Sequence, residues 1–384
     1  MTRSTLDSLC ELITDGAHKS PREFPHGIPM MSVKDMTDKS FSYDNCKTIS
    51  TKDAQELIAG GCRPKIGDVL IAKDGSVLKH VFTVRGPADY VLLSSIAIIR
   101  PKKDKLISEF LEYMFKNPQF KLMVLSSFLG GSGVPRIVLR DFKKVLIDIP
   151  PLQEQKAIAE VLSSLDDKIE LLQKQNETLE ALAQTLFRQW FIEEADDSWE
   201  EAFLSDEFNL TMGQSPPGTS YNESALGTPM YQGNADFSFR FPVKRVFTTE
   251  PKRLAEKYDT LISVRAPVGA QNMAFEECCI GRGVAAISHP KGYFSYTYYK
   301  VNSIMKQISA FNDTGTVFGS ISKKDLERIS ITIPPAELIE KFNEVGGSLE
   351  VKVHHNEESI NNLKVTRDAL LPKLMSGQVR VKLD

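Results

Sequence analysis

Apolar residues recur at alternating steps of four and three positions in the segment that follows Pro150 and Pro151. This heptad spacing is typical of a long helix that presents one apolar seam to a partner helix. The pair of prolines marks the boundary between this segment and the short strand-like runs before it. The seam has one polar position, and its residues are Ile158, Leu162, Leu165, Ile169, Leu172, Asn176, Leu179, Ala183, Leu186 and Trp190.

A second, weaker seam follows Pro334 and Pro335, 184 positions after the first. Two seams in one register favour two helices that pair antiparallel, rather than two amphipathic helices that each lie on their own domain. Asn176 would then face Asn356, so that two buried amides satisfy each other and fix register and direction. The residues predicted to make the pairing are Leu165, Ile169, Leu172, Asn176, Leu179, Leu349, Val353, Asn356, Ile360 and Leu363.

Short apolar runs bounded by turn residues fill the rest of the chain and predict strands. The stretch from Gly131 to Pro151 returns 184 positions later with its apolar frame kept, but Ser320 replaces Arg136. The expected fold class is α+β: two strand-rich α/β globular domains, separated by two long helices that form an antiparallel coiled coil, with a pseudo-twofold internal repeat. The predicted segments are a first globular domain at 1–150, a central helix at 151–198, a second globular domain at 199–334 and a C-terminal helix at 335–384.

Composition and charge are those of a core-forming protein. Of the 384 residues, 41% are hydrophobic, and no apolar run approaches the ~18 to 20 residues of a bilayer-spanning helix, so we expect a cytoplasmic protein with no membrane partner. Five cysteines without C-x-x-C spacing predict neither a disulfide framework nor a zinc site. The net charge of −3 hides a basic segment at residues 60–150, with 15 Lys and Arg against 8 Asp and Glu. Nucleic acid therefore remains a candidate partner.

Sequence motifs for catalysis are missing from the chain. It has no G-x-x-x-x-G-K-[ST] phosphate loop, no G-x-G-x-x-G, no H-E-x-x-H, no G-x-S-x-G and no N/D-P-P-aromatic signature of DNA amino-methyltransferases. We therefore expect no catalytic residues and no metal site. His354 and His355 are expected on a solvated helix face, and Trp190 and Trp199 are expected to anchor a helix to a globular domain.

Basic and polar side chains near glycine-rich loops are the candidates for DNA contacts. Arg and Lys can neutralise phosphates or hydrogen-bond guanine, and Asn and Gln match the edge of adenine. Each such residue alone is more commonly a solvated surface residue or a turn cap, and the repeat is what strengthens the set. The candidates are Lys73, Ser76, Lys79, His80, Ser132 and Arg136 in the first domain, and Gln232, Asn234, Arg265, Thr316, Ser320 and Lys323 in the second.

Six short motifs are distributed along the chain. They are Ile13-Thr14-Asp15-Gly16-x-His18, Gly67-Asp68-Val69-Leu70-Ile71, Ile149-Pro150-Pro151-Leu152-x-x-Gln155-x-x-Ile158-Ala159, Leu186-Phe187-Arg188-x-Trp190-Phe191, Gly213-Gln214-Ser215-Pro216-Pro217 and Leu370-Leu371-Pro372-Lys373-Leu374-Met375-Ser376-Gly377. In this order they resemble the motifs of the specificity (S) subunit of type I restriction-modification systems. The second Pro-Pro motif departs from the family pattern, with Ile339 where the first has Gln155.

The resemblance implies a non-catalytic protein with two target recognition domains, each reading half of a bipartite site in double-stranded DNA. It also implies that the paired helices hold the domains apart and dock two methyltransferase (modification) subunits, through which restriction subunits join the complex. Catalysis, S-adenosylmethionine and ATP would belong to those partners, so no cofactor is expected in this chain.

Two alternatives remain open at the level of the sequence. A coiled-coil adaptor that binds only proteins predicts no salt-dependent DNA binding. A methyltransferase or nuclease with a fused recognition module predicts that the isolated chain binds a cofactor. The basic segment opposes the first alternative, and the missing catalytic motifs oppose the second.

Overall fold

The computed structural model describes residues 2–131, 133–312 and 319–382. The chain forms two compact units, Met1–Glu170 with Asn361–Asp384, and Leu171–Ile360. Both division points fall inside long helices. The boundaries predicted at 150, 198 and 334 lie near the changes between strands and long helices, whereas each compact unit combines a globular domain with segments of both helices.

A four-stranded antiparallel sheet forms the centre of the first unit. In spatial order its strands are Cys10–Asp15, Ile96–Pro101, Val69–Ala72 and Val81–Thr83. A three-stranded sheet contains Lys47–Ile49, Ile28–Met31 and Val91–Leu92, and Thr2–Thr5 pairs with Leu146–Ile149. The shorter helices are Leu6–Leu9, Thr51–Ala59, Ser108–Lys116, Pro118–Phe128 and Leu139–Lys144, with a 3-10 turn at Val33–Asp35.

The strand Val69–Ala72 is apolar throughout because both faces of its sheet are covered. Val69 and Ile71 belong to the core that includes the long helices, and Leu70 and Ala72 belong to a second core on the other face. Alternate side chains of a strand point to opposite faces, so a strand buried on both faces is a continuous apolar run. This is the physical origin of the short apolar runs in the sequence.

The second unit repeats the arrangement of the first. Its four-stranded sheet has the order Asn209–Met212, Val284–Ser288, Thr260–Ser263 and Gln271–Met273, and Glu200–Phe203 pairs with Ser330–Ile333. A five-stranded sheet contains Tyr221–Asn222, Val246–Thr248, Thr228–Tyr231, Cys278–Ile280 and Leu254–Ala255. The shorter helices are Leu204–Glu207, Phe294–Ser303, Met305–Ser309 and Lys323–Glu327, with 3-10 turns at Gly218–Ser220, Asn234–Asp236 and Ala310–Asn312.

Two long helices begin directly after the two Pro-Pro pairs. The central helix is Leu152–Arg188, with 37 residues, and continues into a π turn at Gln189–Glu193. The C-terminal helix is Ala336–Ser376, with 41 residues. At about 1.5 Å per residue the two helices are about 56 and 62 Å long. In the part of the chain that the structure describes, no helix is long and apolar enough to cross a membrane.

The two helices run antiparallel within the second unit. Asn356 Nδ2 donates a hydrogen bond to Asn176 Oδ1 over 2.7 Å, so the two residues meet as the sequence predicts. The amides do not satisfy each other completely, because Asn176 Nδ2 donates to Glu357 Oε1 over 2.7 Å. Towards the end of the central helix, the ring of Phe187 packs 5.5 Å from that of Phe342. Contacts therefore move backwards along one helix as they move forwards along the other. The ten predicted pairing residues are all buried or half-buried.

His354 corrects one expectation from the sequence. Its ring is buried rather than solvated: it stacks on Phe275 at 4.1 Å, and Nε2 lies 3.0 Å from the Phe275 carbonyl oxygen. The adjacent His355 is exposed. Because the helical period places neighbouring residues about 100° apart, one histidine of the pair faces the domain and the other faces solvent.

Candidate nucleic-acid interface

A short backbone bridge forms the base of the candidate site in the first domain. The strand Val69–Ala72 ends at Lys73, whose carbonyl accepts a hydrogen bond from Ile137 N over 2.9 Å. Gly75 N donates to Pro135 O over 2.7 Å, so that Asp74 and Arg136 lie opposite each other. The bridge brings the turn after the strand next to the glycine-rich loop.

The second domain contains the same bridge. Ile321 N donates to Val264 O over 3.1 Å, and Ala266 N donates to Gly319 O over 3.0 Å. These bonds place Arg265 opposite Ser320. Arg265 thus occupies the position of Asp74, and Ser320 that of Arg136. One backbone arrangement therefore presents an acidic and a basic residue in the first domain, and a basic and a neutral residue in the second.

A cleft of about 700 Å³ opens beside the bridge of the second domain. Arg265 and Arg282 both line it, and both are exposed residues. A Cβ atom on Gly213 would approach Gly281 O to 2.2 Å, so glycine is required where the strands meet closely behind the cleft. Arginine side chains at such a cleft can bind phosphate oxygens or the edge of a guanine. The remaining lining residues are Met212, Val264, Ala266, Gly319, Ser320, Ile321 and Ser322.

Arg282 is a cleft residue that the sequence did not single out. It follows the strand Cys278–Ile280, far along the chain from the bridge, and its backbone N–H donates to Ser215 Oγ over 3.2 Å. The Gly281-Arg282-Gly283 triplet is the only sequence signal for it, because glycines beside a basic residue permit a close backbone approach.

Lys73 lies in a different environment from the other predicted DNA contacts. Its side chain is only 8% exposed, and Nζ is 3.3 Å from a carboxylate oxygen of both Asp15 and Asp74. The ammonium is committed to two acidic partners inside the domain. This position disagrees with the expectation of a direct DNA contact, because a buried and paired charge is not available to a phosphate.

The remaining first-domain candidates lie on or near the turn after the same strand. Ser76, Lys79 and Arg136 are exposed, whereas His80 is half-buried with Nδ1 3.0 Å from Asp38 Oδ1. Ser132 lies outside the described residues.

In the second domain, the structure brings several candidates towards the cleft. Gln232 is exposed, and a Cβ atom on Gly281, next to Arg282, would be 3.2 Å from its Cγ. Asn234 begins the turn Asn234–Asp236. Lys323 follows the cleft residue Ser322, and its Nζ lies 3.6 Å from Glu327 Oε1. Thr316 lies outside the described residues.

Metal-ligating side chains are not clustered in the part of the chain that the structure describes: no group of three or more His, Cys, Asp or Glu side chains there could hold a metal ion. The loops of the candidate interface present cationic and amide side chains, a composition suited to hydrogen-bonding DNA.

Comparison with known proteins identifies the family. The model of the type I restriction modification DNA specificity domain matches residues 1–181 and again residues 196–341. The chain belongs to this family, and the two matches coincide with the structural repeat. Its members are specificity subunits of type I restriction-modification systems, which recognise DNA targets.

Individual relatives cover nearly the whole chain. A protein of Methanocaldococcus jannaschii, provisionally named the type I restriction enzyme MjaX specificity subunit, is 29% identical over 405 residues, covering 98% of this chain and 93% of the relative. The MjaIX specificity subunit of the same organism is 27% identical over 398 residues, covering 92% and 87%. The crystal structure of a type I restriction-modification system S subunit from M. genitalium has a TM-score of 0.67, covering 100% of this chain and 96% of that chain at 18% identity, and supports the fold alone.

Proposed function

We propose that this chain is the DNA-reading subunit of a type I restriction-modification complex, and that its two domains read unlike halves of a bipartite target. The observation that carries the proposal is the duplicated bridge, which presents Asp74 and Arg136 in one domain and Arg265 and Ser320 in the other. Equivalent backbones would let both domains dock on DNA in the same way, and different side chains would let each domain read a different base sequence.

Arg136, Arg265 and Arg282 are the residues that we assign to direct DNA contact. All three are exposed at or beside the bridges. The other exposed candidates, Ser76, Lys79, Gln232, Asn234, Ser320 and Lys323, flank them. Lys73 acts indirectly, because its ion pairs hold Asp74 and Asp15 in place beneath the loop.

The long helices serve as the spacer and the protein-docking element in this proposal. They form an antiparallel coiled coil along the two seams and hold the recognition domains apart. Their outer faces dock two methyltransferase subunits, and restriction subunits join through that complex. Methyl transfer and DNA cleavage, with their cofactors, belong to those partners, and the chain itself is not an enzyme.

Salt-dependent DNA binding tests this proposal against the adaptor alternative. The full chain, bound to its methyltransferase partners, is titrated with target duplex and with scrambled duplex at several salt concentrations. We expect affinity to fall steeply with salt, because cationic side chains displace counterions from the phosphates. Arg136→Ala and Arg265→Ala should each weaken target binding by roughly 1 to 3 kcal/mol where the lost contact is to a base.

The exposed Arg3 on the strand Thr2–Thr5 provides a matched control, since it lies 3.9 Å from Asp148 on the neighbouring strand and outside both bridges. Arg3→Ala should leave target affinity unchanged. Absence of salt-dependent DNA binding would favour the protein-only adaptor. Salt-dependent binding that is equally strong for wild type and the double variant Arg136→Ala/Arg265→Ala would contradict the assignment of these two arginines to DNA contact.

A further inference from the structure

A buried carboxylate joins the first recognition domain to both helical segments of its unit. Asp166, on the central helix, accepts a hydrogen bond from the hydroxyl of Tyr113 over 2.8 Å at one oxygen. Its other oxygen accepts from Arg367 Nη1, on the C-terminal helix, over 2.7 Å. Burial raises the pKa of Asp166, but the hydrogen bonds from Arg367 and Tyr113 outweigh burial and leave this pKa lowered, so the carboxylate stays charged.

The second unit contains a corresponding cluster with the roles of the helices exchanged. Glu350, on the C-terminal helix, is 1% exposed and accepts from the hydroxyl of Tyr299 over 3.0 Å. Arg240 Nη1 lies 3.5 Å from Glu350, and its Nη2 lies 3.1 Å from Glu180 on the central helix. The Arg240 guanidinium also lies 3.9 Å from the ring centre of Tyr298.

The two carboxylates are equivalent positions of the internal repeat. Glu350 follows Asp166 by the repeat distance of 184 positions. Tyr113 and Tyr299 both lie on the helix that follows the last strand of the four-stranded sheet in chain order, Ser108–Lys116 in one domain and Phe294–Ser303 in the other. Burial raises the pKa of both tyrosine hydroxyls, which therefore keep the proton that they donate.

The cationic partner comes from a different part of the chain in each cluster. Arg367 is supplied by the paired helix in the first unit, whereas its repeat equivalent in the second is Ala183. Arg240, from the recognition domain, provides the positive charge there. The Tyr-carboxylate contact is thus present in both halves, although a different element supplies the cation in each.

Stability alone is a weak reason to keep such groups, because well-packed apolar residues usually replace a buried ion pair at no loss. A hydrogen bond between a rigid tyrosine ring and a carboxylate on a helix does restrict how the domain is oriented on that helix, since the bond requires a narrow range of distance and angle. Both clusters lie where a recognition domain meets the helices of its own unit.

We propose that Asp166 and Glu350, through Tyr113 and Tyr299, are positioning residues that set the angle of each recognition domain on the helices, and thereby decide which spacer between half-sites the complex accepts. This inference rests on the proposed function. The role predicts a loss of selectivity between spacers rather than a loss of affinity for each half-site.

The test uses the full chain with its methyltransferase partners and duplexes whose two half-sites are separated by spacers that differ by single base pairs. Wild type should prefer one spacer strongly. Tyr113→Phe and Tyr299→Phe should each lower the preference for the best spacer over its neighbours by about 3- to 10-fold, as expected for one lost hydrogen bond. Affinity for a duplex with a single half-site should stay unchanged.

Tyr43 supplies the matched control, because its hydroxyl donates to Asp89 over 3.0 Å within the same recognition domain, as Tyr113 does to the helix. Tyr43→Phe should keep the wild-type spacer preference. Asp166→Asn retains an acceptor oxygen for Tyr113 and should keep more of the preference than Asp166→Leu. This pair gives a second readout if a Tyr→Phe variant unfolds.

Three outcomes separate the two claims. A wild-type complex that shows no dependence on two half-sites rejects the proposed function, and the positioning role with it. A wild type with a clear spacer preference that survives in Tyr113→Phe, Tyr299→Phe and Asp166→Leu overturns the positioning role alone. Folded variants that lose single-half-site affinity in parallel with spacer preference also overturn it, because the clusters would then support the reading loops themselves.

Discussion

Asp68 and Asp259 occupy equivalent positions in the two recognition domains and accept the same backbone hydrogen bond. Lys65 N donates to Asp68 over 2.8 Å, and Glu256 N donates to Asp259 over 2.9 Å. Their charged surroundings differ. Arg100 makes two hydrogen bonds to Asp68, of 2.7 and 2.8 Å, whereas the strand register places Ser288 at the position of Arg100 in the second domain. Among the described residues no Lys or Arg pairs with Asp259, and burial raises the pKa of its carboxyl to about 6.

Asp259→Asn should therefore stabilise the protein at neutral pH. A carboxyl with a raised folded pKa contributes its full stability below its unfolded value of 3.8 and loses it as the pH rises through about 6. The variant lacks this loss, so at pH 8 its free energy of unfolding should exceed that of wild type by about 1 to 3 kcal/mol, with the difference vanishing near pH 4. Denaturant unfolding at both pH values measures it.

Asp68→Asn is the control for this prediction, because the same substitution at the equivalent position should lower stability instead of raising it. It breaks a buried ion pair and should cost roughly 3 to 5 kcal/mol at pH 8. If Asp259→Asn is as destabilising as Asp68→Asn at pH 8, the charged carboxylate of Asp259 stabilises the folded protein, and the prediction is wrong.

At the residue scale, the sequence indicates which side chains are exposed better than it indicates what they contact. Arg136 and Arg265 follow a glycine-rich loop and a strand, and both are exposed, as a DNA contact would require. The local pattern around Lys73 is similar, but it cannot reveal that Asp15, on another strand, approaches within 3.3 Å. Arg240 was not singled out, because a single arginine in a loop carries no sign that its guanidinium is fully buried.

Elements are the scale at which the sequence is most informative. Pro-Pro pairs and heptad seams predict both long helices, and these begin at Leu152 and Ala336. The seam arithmetic also predicts the contact between Asn176 and Asn356, because the repeat distance fixes which positions are opposite. The same arithmetic cannot predict that Asp166, next to the seam, is buried, since its partners Tyr113 and Arg367 lie elsewhere in the chain.

The Asn176–Asn356 pair can be tested with a double-mutant cycle. One hydrogen bond joins the two amides, from Asn356 Nδ2 to Asn176 Oδ1, and a leucine in place of either asparagine removes it while burying the other amide against an apolar side chain. Asn176→Leu and Asn356→Leu should each cost about 1 to 3 kcal/mol in free energy of unfolding, and the double variant should cost clearly less than their sum. Gln173→Leu, at an exposed position of the same helix, should change stability little. Strictly additive losses would show that the two amides do not act as a pair.

Over the whole molecule, duplication explains both what is shared and what differs. The two domains have the same strand order in their four-stranded sheets and the same backbone bridge, yet the bridge residues, the partner of Asp68 or Asp259, and the source of the buried arginine all differ. A duplicated scaffold with different side chains is the arrangement that the proposed reading of two unlike half-sites requires.

Inserting one heptad into each long helix tests whether the length of these helices sets the spacer between the two half-sites. Insertion between Gln173 and Lys174 and between Glu358 and Ser359 keeps the seam register and leaves the Asn176–Asn356 contact intact. Each insertion adds about 10 Å of helix, which corresponds to about three base pairs of DNA. The spacer between modified half-sites should lengthen accordingly. A folded insertion variant that keeps the original spacer shows that the helices do not measure this distance.

Sequencing of modified bases in a host that expresses this chain with its partner subunits tests the central claim most directly. The wild-type chain should give modification at two short specific sequences separated by a fixed non-specific spacer. Arg136→Ala should relax only one of these sequences, and Arg265→Ala only the other. A single continuous target, or one substitution that alters both halves equally, would contradict the claim that each domain reads its own half-site.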